Sequence, residues 1–246
     1  MQSQTRLRSA LLISGLLFTG IINLSSQGVN LEVIFTANPF LGVRIDSTLA
    51  LYEFKDGWQH YDGWDIFLPG ELDELLIAPN GQLGVRKGNT LTFYAVSNLF
   101  GAMFETDSLD FQLPDNVEEL IISTTGDLGI RSGDSLKFYL YNQGWKPEAE
   151  YDFALPSNVD EILITTNALL GLRTGRELKF YQIANHYEPV PQFDFTLPFE
   201  ADELALTYAD DLCARKGKKL RFFRFAEKWE ANPELDFEIE IPEGEK

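Results

Sequence analysis

The stretch "ELLIAPNGQLGVRKGNTLTFY", residues 74–94, decides the fold, because nearly the same phrase returns four more times. Aligned on the opening glutamate, the copies begin at Glu32, Glu74, Glu119, Glu161 and Glu203, at steps of 42, 45, 42 and 42 residues. Twelve residues after each glutamate stands an arginine: Arg44, Arg86, Arg131, Arg173 and Arg215. Five residues further on, Leu49, Leu91, Leu136, Leu178 or Leu220 opens an aromatic run such as "LTFY" or "LRFF". In four copies a proline (Pro69, Pro114, Pro156, Pro198) precedes the glutamate by five residues. Self-similarity at this period is the mark of a repeat architecture.

Each copy reads as four short strands. "ELLI" and "LGVR" are joined by a tight connection such as "APNGQ" or "STTGD", and "KGN" or "SGD" turns the chain into the aromatic strand. A more variable loop follows, then a strand ending in "DFQLP", "DFALP" or "DFTLP". No long helical periodicity appears after residue 28. Four strands in about 42 residues is the size of a propeller blade. The sequence therefore predicts an all-β, five-bladed β-propeller spanning residues 29–246 as one domain. The last repeat ends at Pro242, so the chain holds five whole units with no remainder.

The fixed spacing also predicts a register. If the "APNGQ" turn pairs Ile77 with Leu83, then Leu76 faces Gly84 and Glu74 faces Arg86. Opposite charges directly across a ladder contribute about 0.2–1 kcal/mol, which gives the Glu–Arg spacing a cause. The same register sets Gly42, Gly84, Gly129 and Gly171 opposite Ile34, Leu76, Ile121 and Leu163. In the fifth copy Cys213 replaces glycine and its partner shrinks to Ala205, an exchange that keeps volume at a packed site. Cys213 thus reads as a small core residue rather than a nucleophile. Both faces of the hairpin are apolar, as blades stacked around an axis require. Which strand is innermost, and whether the ring closes by packing whole blades or by sharing one between the termini, are left open.

The order "apolar strand, P-N-G, strand, K-x-x, L-x-x-Y" resembles a blade of the tachylectin-type five-bladed propeller lectins. That resemblance implies repeated sites between blades for N-acetylated sugars. Of the tryptophan-rich segments that the resemblance implies, the sequence carries a faint trace, "DGW" at 56–58 and "QGW" at 143–145.

Composition narrows the partners. Arg6 and Arg8 precede the apolar run Ala10–Leu24 and then "SSQG", the pattern of a secretory signal over residues 1–28. This predicts a secreted or periplasmic domain with no membrane span of its own, and an uncleaved N-terminal anchor is the competing reading. Losing two arginines and no acid takes the formal net charge from −18 to −20. So acidic a body repels phosphate backbones, which argues against nucleic acid. One cysteine permits no internal disulfide, so the core alone must hold the domain.

Candidate sites are of three kinds. The Glu–Arg pairs read as structural ion pairs, with a charged channel mouth as the alternative. Acids four residues before each closing proline (Asp65, Asp110, Asp152, Asp194 and Glu238) read as turn caps, with a calcium ring as the alternative. An aromatic follows each aromatic strand: Trp58, Phe100, Trp145, Tyr187 and Trp229. Flat rings on repeated loops suit stacking against sugar faces; otherwise they are core aromatics. No carboxylate pair in two different environments, as a glycosidase needs, stands out. His60 and His186 have no third metal ligand, and the G-x-S-x-G, H-E-x-x-H and phosphate-loop motifs are absent. The expectation is a binding module without cofactor, metal or catalytic residues, whose partners are glycans or another protein.

Overall fold

The computed structural model describes residues 31–240, apart from 36–39, 62, 79–80, 97–102, 107–108, 124 and 208. The proposed signal at 1–28 lies outside the described residues. Five antiparallel sheets follow one another along the chain, each from one contiguous segment. They form a closed five-bladed β-propeller. No strand of a described blade is borrowed from the opposite end of the chain.

The inner strands are Leu31–Phe35, Glu74–Ile77, Glu119–Ile122, Glu161–Ile164 and Glu203–Leu206, each lying against the inner strands of its two neighbours. "ELLI" is therefore innermost, and the first blade's inner strand meets the fifth's directly. The register is the one that spacing implies: Ile77 pairs with Leu83, Leu76 with Gly84 and Glu74 with Arg86. The other four hairpins set Glu32, Glu119, Glu161 and Glu203 opposite Arg44, Arg131, Arg173 and Arg215.

The glycine is a matter of close approach. A Cβ on Gly129 would sit 2.6 Å from Cγ1 of Ile121, and one on Gly42 would sit 2.9 Å from Cγ1 of Ile34. Only where the facing residue is Ala205 does a larger side chain, Cys213, fit. Cys213 is buried, and burial raises its thiol well above the usual range, which keeps it unreactive.

The fourth strand differs from expectation. It is split in two, so each sheet has five strands. In the third blade Trp145–Pro147 pairs with the upper part of the aromatic strand and Phe153–Ala154 with the lower. In the gap, the Phe138 carbonyl accepts from Glu148 N, and its N–H donates to Oδ1 of Asp152 at 3.2 Å. Asp110, Asp194 and Asp236 accept in the same way from Phe93, Phe180 and Phe222. The side chain satisfies a buried amide that no outer strand reaches. The fifth cap is thus Asp236 and not Glu238, because the closing proline of that blade lies two residues further on. Glu238 instead pairs with Lys219 in the outer piece.

The core is five separate layers, one between each pair of neighbouring blades. Leu75, Leu83 and Val85 pack toward the first blade, while Leu76, Leu91 and Phe93 pack toward the third. Alternation along each strand sends apolar residues to both faces, and each face is covered by a neighbour.

Candidate functional site

The repeated charges form one ring around the axis. Each glutamate uses one oxygen for its own blade and the other for the next. Oε2 accepts from the facing arginine at 2.6–3.1 Å in all five blades. Oε1 of Glu32, Glu74, Glu119 and Glu161 accepts the backbone N–H of Leu75, Leu120, Ile162 and Leu204. Oε1 of Glu203 accepts from Val33 at 3.0 Å, which closes the circle. These amides belong to the free edge of an inner strand, where no further strand pairs them, so a side chain from the neighbouring blade does.

The arginines reach the same way. Arg44 donates to the Leu72 carbonyl, Arg131 to that of Val159 and Arg173 to that of Ala201, each in the following blade. Arg44, Arg131, Arg173 and Arg215 are buried. Burial raises the carboxyl of Glu32 to about 7 and those of Glu74 and Glu161 to about 8, against the opposing effect of their arginines. Glu119 and Glu203 are raised for the same reason. The ring is consequently a latch between blades.

The loop aromatics lie in the clefts between blades. Nε1 of Trp58, Trp145 and Trp229 donates to the carbonyls of Leu235, Leu109 and Phe193 of the preceding blade, at 2.6, 2.7 and 2.6 Å. Tyr187 makes the corresponding bond from its hydroxyl to the Tyr151 carbonyl. Each indole also stacks on the buried phenylalanine of that blade, Trp58 on Phe222, Trp145 on Phe93 and Trp229 on Phe180. A second ring lies against each indole as well: Phe237, Phe111 and Phe195. The polar handle and part of each ring are thus engaged by protein, and the three indoles are half-buried. Phe100 lies outside the described residues.

His60 holds Oδ1 of Asp65 at 2.8 Å through Nε2, and His186 sits in a left-handed turn in another blade. Among the described residues no three His, Cys, Asp or Glu side chains converge as metal ligands. No helix among them is long and apolar enough to cross a membrane.

Two exposed residues escaped the reading of the repeats. Phe67 is 76% exposed, at the register position occupied by Gln112, Ala154, Thr196 and Glu238 in the other blades. Phe104 is 59% exposed, where the others carry Gln59, Lys146, Glu188 and Glu230. The signal was present: both are apolar departures from a position that is otherwise polar or small.

No family model and no curated protein matches the chain. Among solved structures, Hsv2 of Kluyveromyces lactis is similar at 11% identity, covering 86% of this chain and 83% of that one, with a TM-score of 0.47. A protein from Lactobacillus plantarum is similar at 10% identity over 74% of this chain, with a TM-score of 0.45; the match spans 60% of that protein's length. Virginiamycin B lyase from Staphylococcus aureus is similar at 12% identity, covering 85% and 70% of the two chains, with a TM-score of 0.41. None of these three is a tachylectin-type lectin, and likeness at such identities concerns the fold alone.

Proposed function

We propose that this propeller is a non-catalytic binding scaffold that takes another protein on its outer rim. The observation that carries the reading is the break in five-fold symmetry at Phe67 and Phe104, on adjacent blades. The repeated chemistry faces inward: the Glu–Arg pairs latch blades and the loop tryptophans fill clefts. The two most exposed aromatics, Phe67 and Phe104, are not repeated, which suits one asymmetric partner better than five equivalent sugars. Exposed aromatics of this kind are the usual anchors of protein interfaces.

The charge adds the partner's character. Setting aside the five ring pairs and Arg6 and Arg8, 33 of the 38 acids remain against 13 of the 20 bases. Such a surface steers a basic partner and repels an acidic one.

A photo-crosslinking residue at position 67 or 104 tests this, followed by purification of the captured protein and titration against the wild-type domain. The expected result is a single basic partner whose affinity falls about tenfold or more in the Phe67→Ser, Phe104→Ser double variant. Its melting temperature should be unchanged, since both rings are exposed. A glycan array run in parallel supplies the contrary outcome. Sugar binding that the double variant retains and Trp145→Phe loses would overturn the scaffold reading in favour of a lectin.

A further inference from the structure

We infer that the five-glutamate ring is a proton-linked latch: it takes up protons as the blades close, so mild acid tightens the propeller and mild alkali loosens it. The geometry carries this through a surplus of acid around the axis. Five arginines serve five glutamates, yet two of them are shared with a second carboxylate. Glu118 lies 3.5 Å from Arg131, and Asp202 lies 3.8 Å from Arg215. Asp73 and Asp160 stand at the same place in their blades, capping the amides of Gly88 and Gly175.

The cations meanwhile spend donors on neutral partners. Arg44, Arg131 and Arg173 each give at least one N–H to a backbone carbonyl. Nε of Arg131 is buried and makes no hydrogen bond, with Glu118 3.5 Å away. Each ring carboxyl is also screened from water, its side chain only 16–24% exposed. Desolvating a charge costs more than an imperfect pair returns, and a proton removes that cost.

The groups facing the ring are its arginines, its own glutamates, the second carboxylates beside them and the buried Cys213 thiol, which feels Glu203. Glu32 meets Arg44 and feels Glu203; Glu74 meets Arg86 and feels Glu32 and Glu119. Glu161 meets Arg173 and feels Glu119 and Glu203. Glu119 meets Arg131 and feels Arg173, while Glu203 meets Arg215 and feels Asp202. Lys216 lies outside, 3.2 Å from Asp202. Neighbouring carboxyls thus repel around the circle, which favours sharing protons among them.

The direction follows from linkage. A carboxyl raised in the folded state holds a proton that the unfolded chain has released, so its contribution is full below the unfolded value and is lost as pH rises through the folded one. With the unfolded value near about 4.3, Glu32 near 7 and Glu74 and Glu161 near 8, that loss runs from about pH 4.3 to about pH 8. Ordinary ion pairs would behave oppositely, with stability lost in acid.

Urea unfolding of the domain from pH 5 to 9 tests the latch. The unfolding equilibrium constant should rise about tenfold or more per pH unit from 6 to 8, one net proton being worth tenfold. Glu74→Gln and Glu161→Gln, which keep an acceptor for the neighbouring amide, should flatten that slope. His60→Gln should leave it, which excludes the imidazole that holds Asp65 as its source. Carboxyl-carbon NMR on the unaltered protein decides independently of whether variants fold. A set of glutamate carbons with midpoints near neutrality supports the latch, set apart from surface glutamates near about 4.3. Glutamate carbons that all titrate below about pH 5, with stability falling as pH drops from 7 to 5, would overturn it.

Discussion

A chain that stops at Pro198 will show no cooperative unfolding transition. Removing the fifth blade uncovers two inter-blade layers at once, because that blade touches both the fourth and the first. The buried side chains lost include Leu204, Leu212, Leu220, Phe222, Phe223 and Ile239. At about 1.5–3 kcal/mol each, their contribution is comparable to the whole stability of an ordinary domain, about 5–15 kcal/mol. Partners on both sides are stranded too. Glu161 Oε1 loses the Leu204 amide, Val33 N loses Glu203, and Phe180 loses the Trp229 ring that covers it. In an open solenoid a terminal repeat can go and the remainder stays folded. Circular dichroism melts of the truncated chain distinguish the two: a sharp transition near that of the full domain would mean that the ring does not hold the blades together.

The second large effect is expected from breaking one pair of the ring. Glu119→Ala leaves Arg131 buried without its carboxylate and the Ile162 amide without its acceptor. Removing one partner of a buried pair costs about 3–5 kcal/mol, more than the pair's net contribution, because the stranded charge keeps its desolvation penalty. Arg131→Ala should cost less, since Glu119, left buried alone, can take up a proton whereas a stranded arginine cannot lose one. The double variant should cost clearly less than the sum, with a coupling of about 1–3 kcal/mol by urea melts. Additive effects would mean that the two side chains act separately.

The register was legible in the sequence because it is local. Glu74 and Arg86 are twelve residues apart on one hairpin, and the Gly–Cys exchange at 213 with Ala205 shows up as a change in volume. The innermost strand was not legible, because both faces of that hairpin are apolar and alternation says nothing about which edge meets the axis. The bond that identifies it runs from Glu119 Oε1 to Ile162 N, a contact between repeats rather than within one. Cleft packing of the tryptophans was hidden for the same reason. Trp145 and Trp229 each bond a carbonyl 36 residues earlier, in the preceding blade, so only the offset was visible and not its partner. Counting the acidic cap back from proline reached Glu238 instead of Asp236, because spacing within the outer strand drifts while the hydrogen bond to Phe222 does not.

Native-state hydrogen exchange at the inner-strand amides of Val33, Leu75, Leu120, Ile162 and Leu204 tests the closed, latched ring most directly. All five lie on the free edge of an inner strand, and each is held by a glutamate of the neighbouring blade. Protection of all five with the free energy of global unfolding, falling together in Glu119→Ala, is the expected result. Fast exchange at Val33 alone, with the other four protected, would contradict closure between the fifth blade and the first.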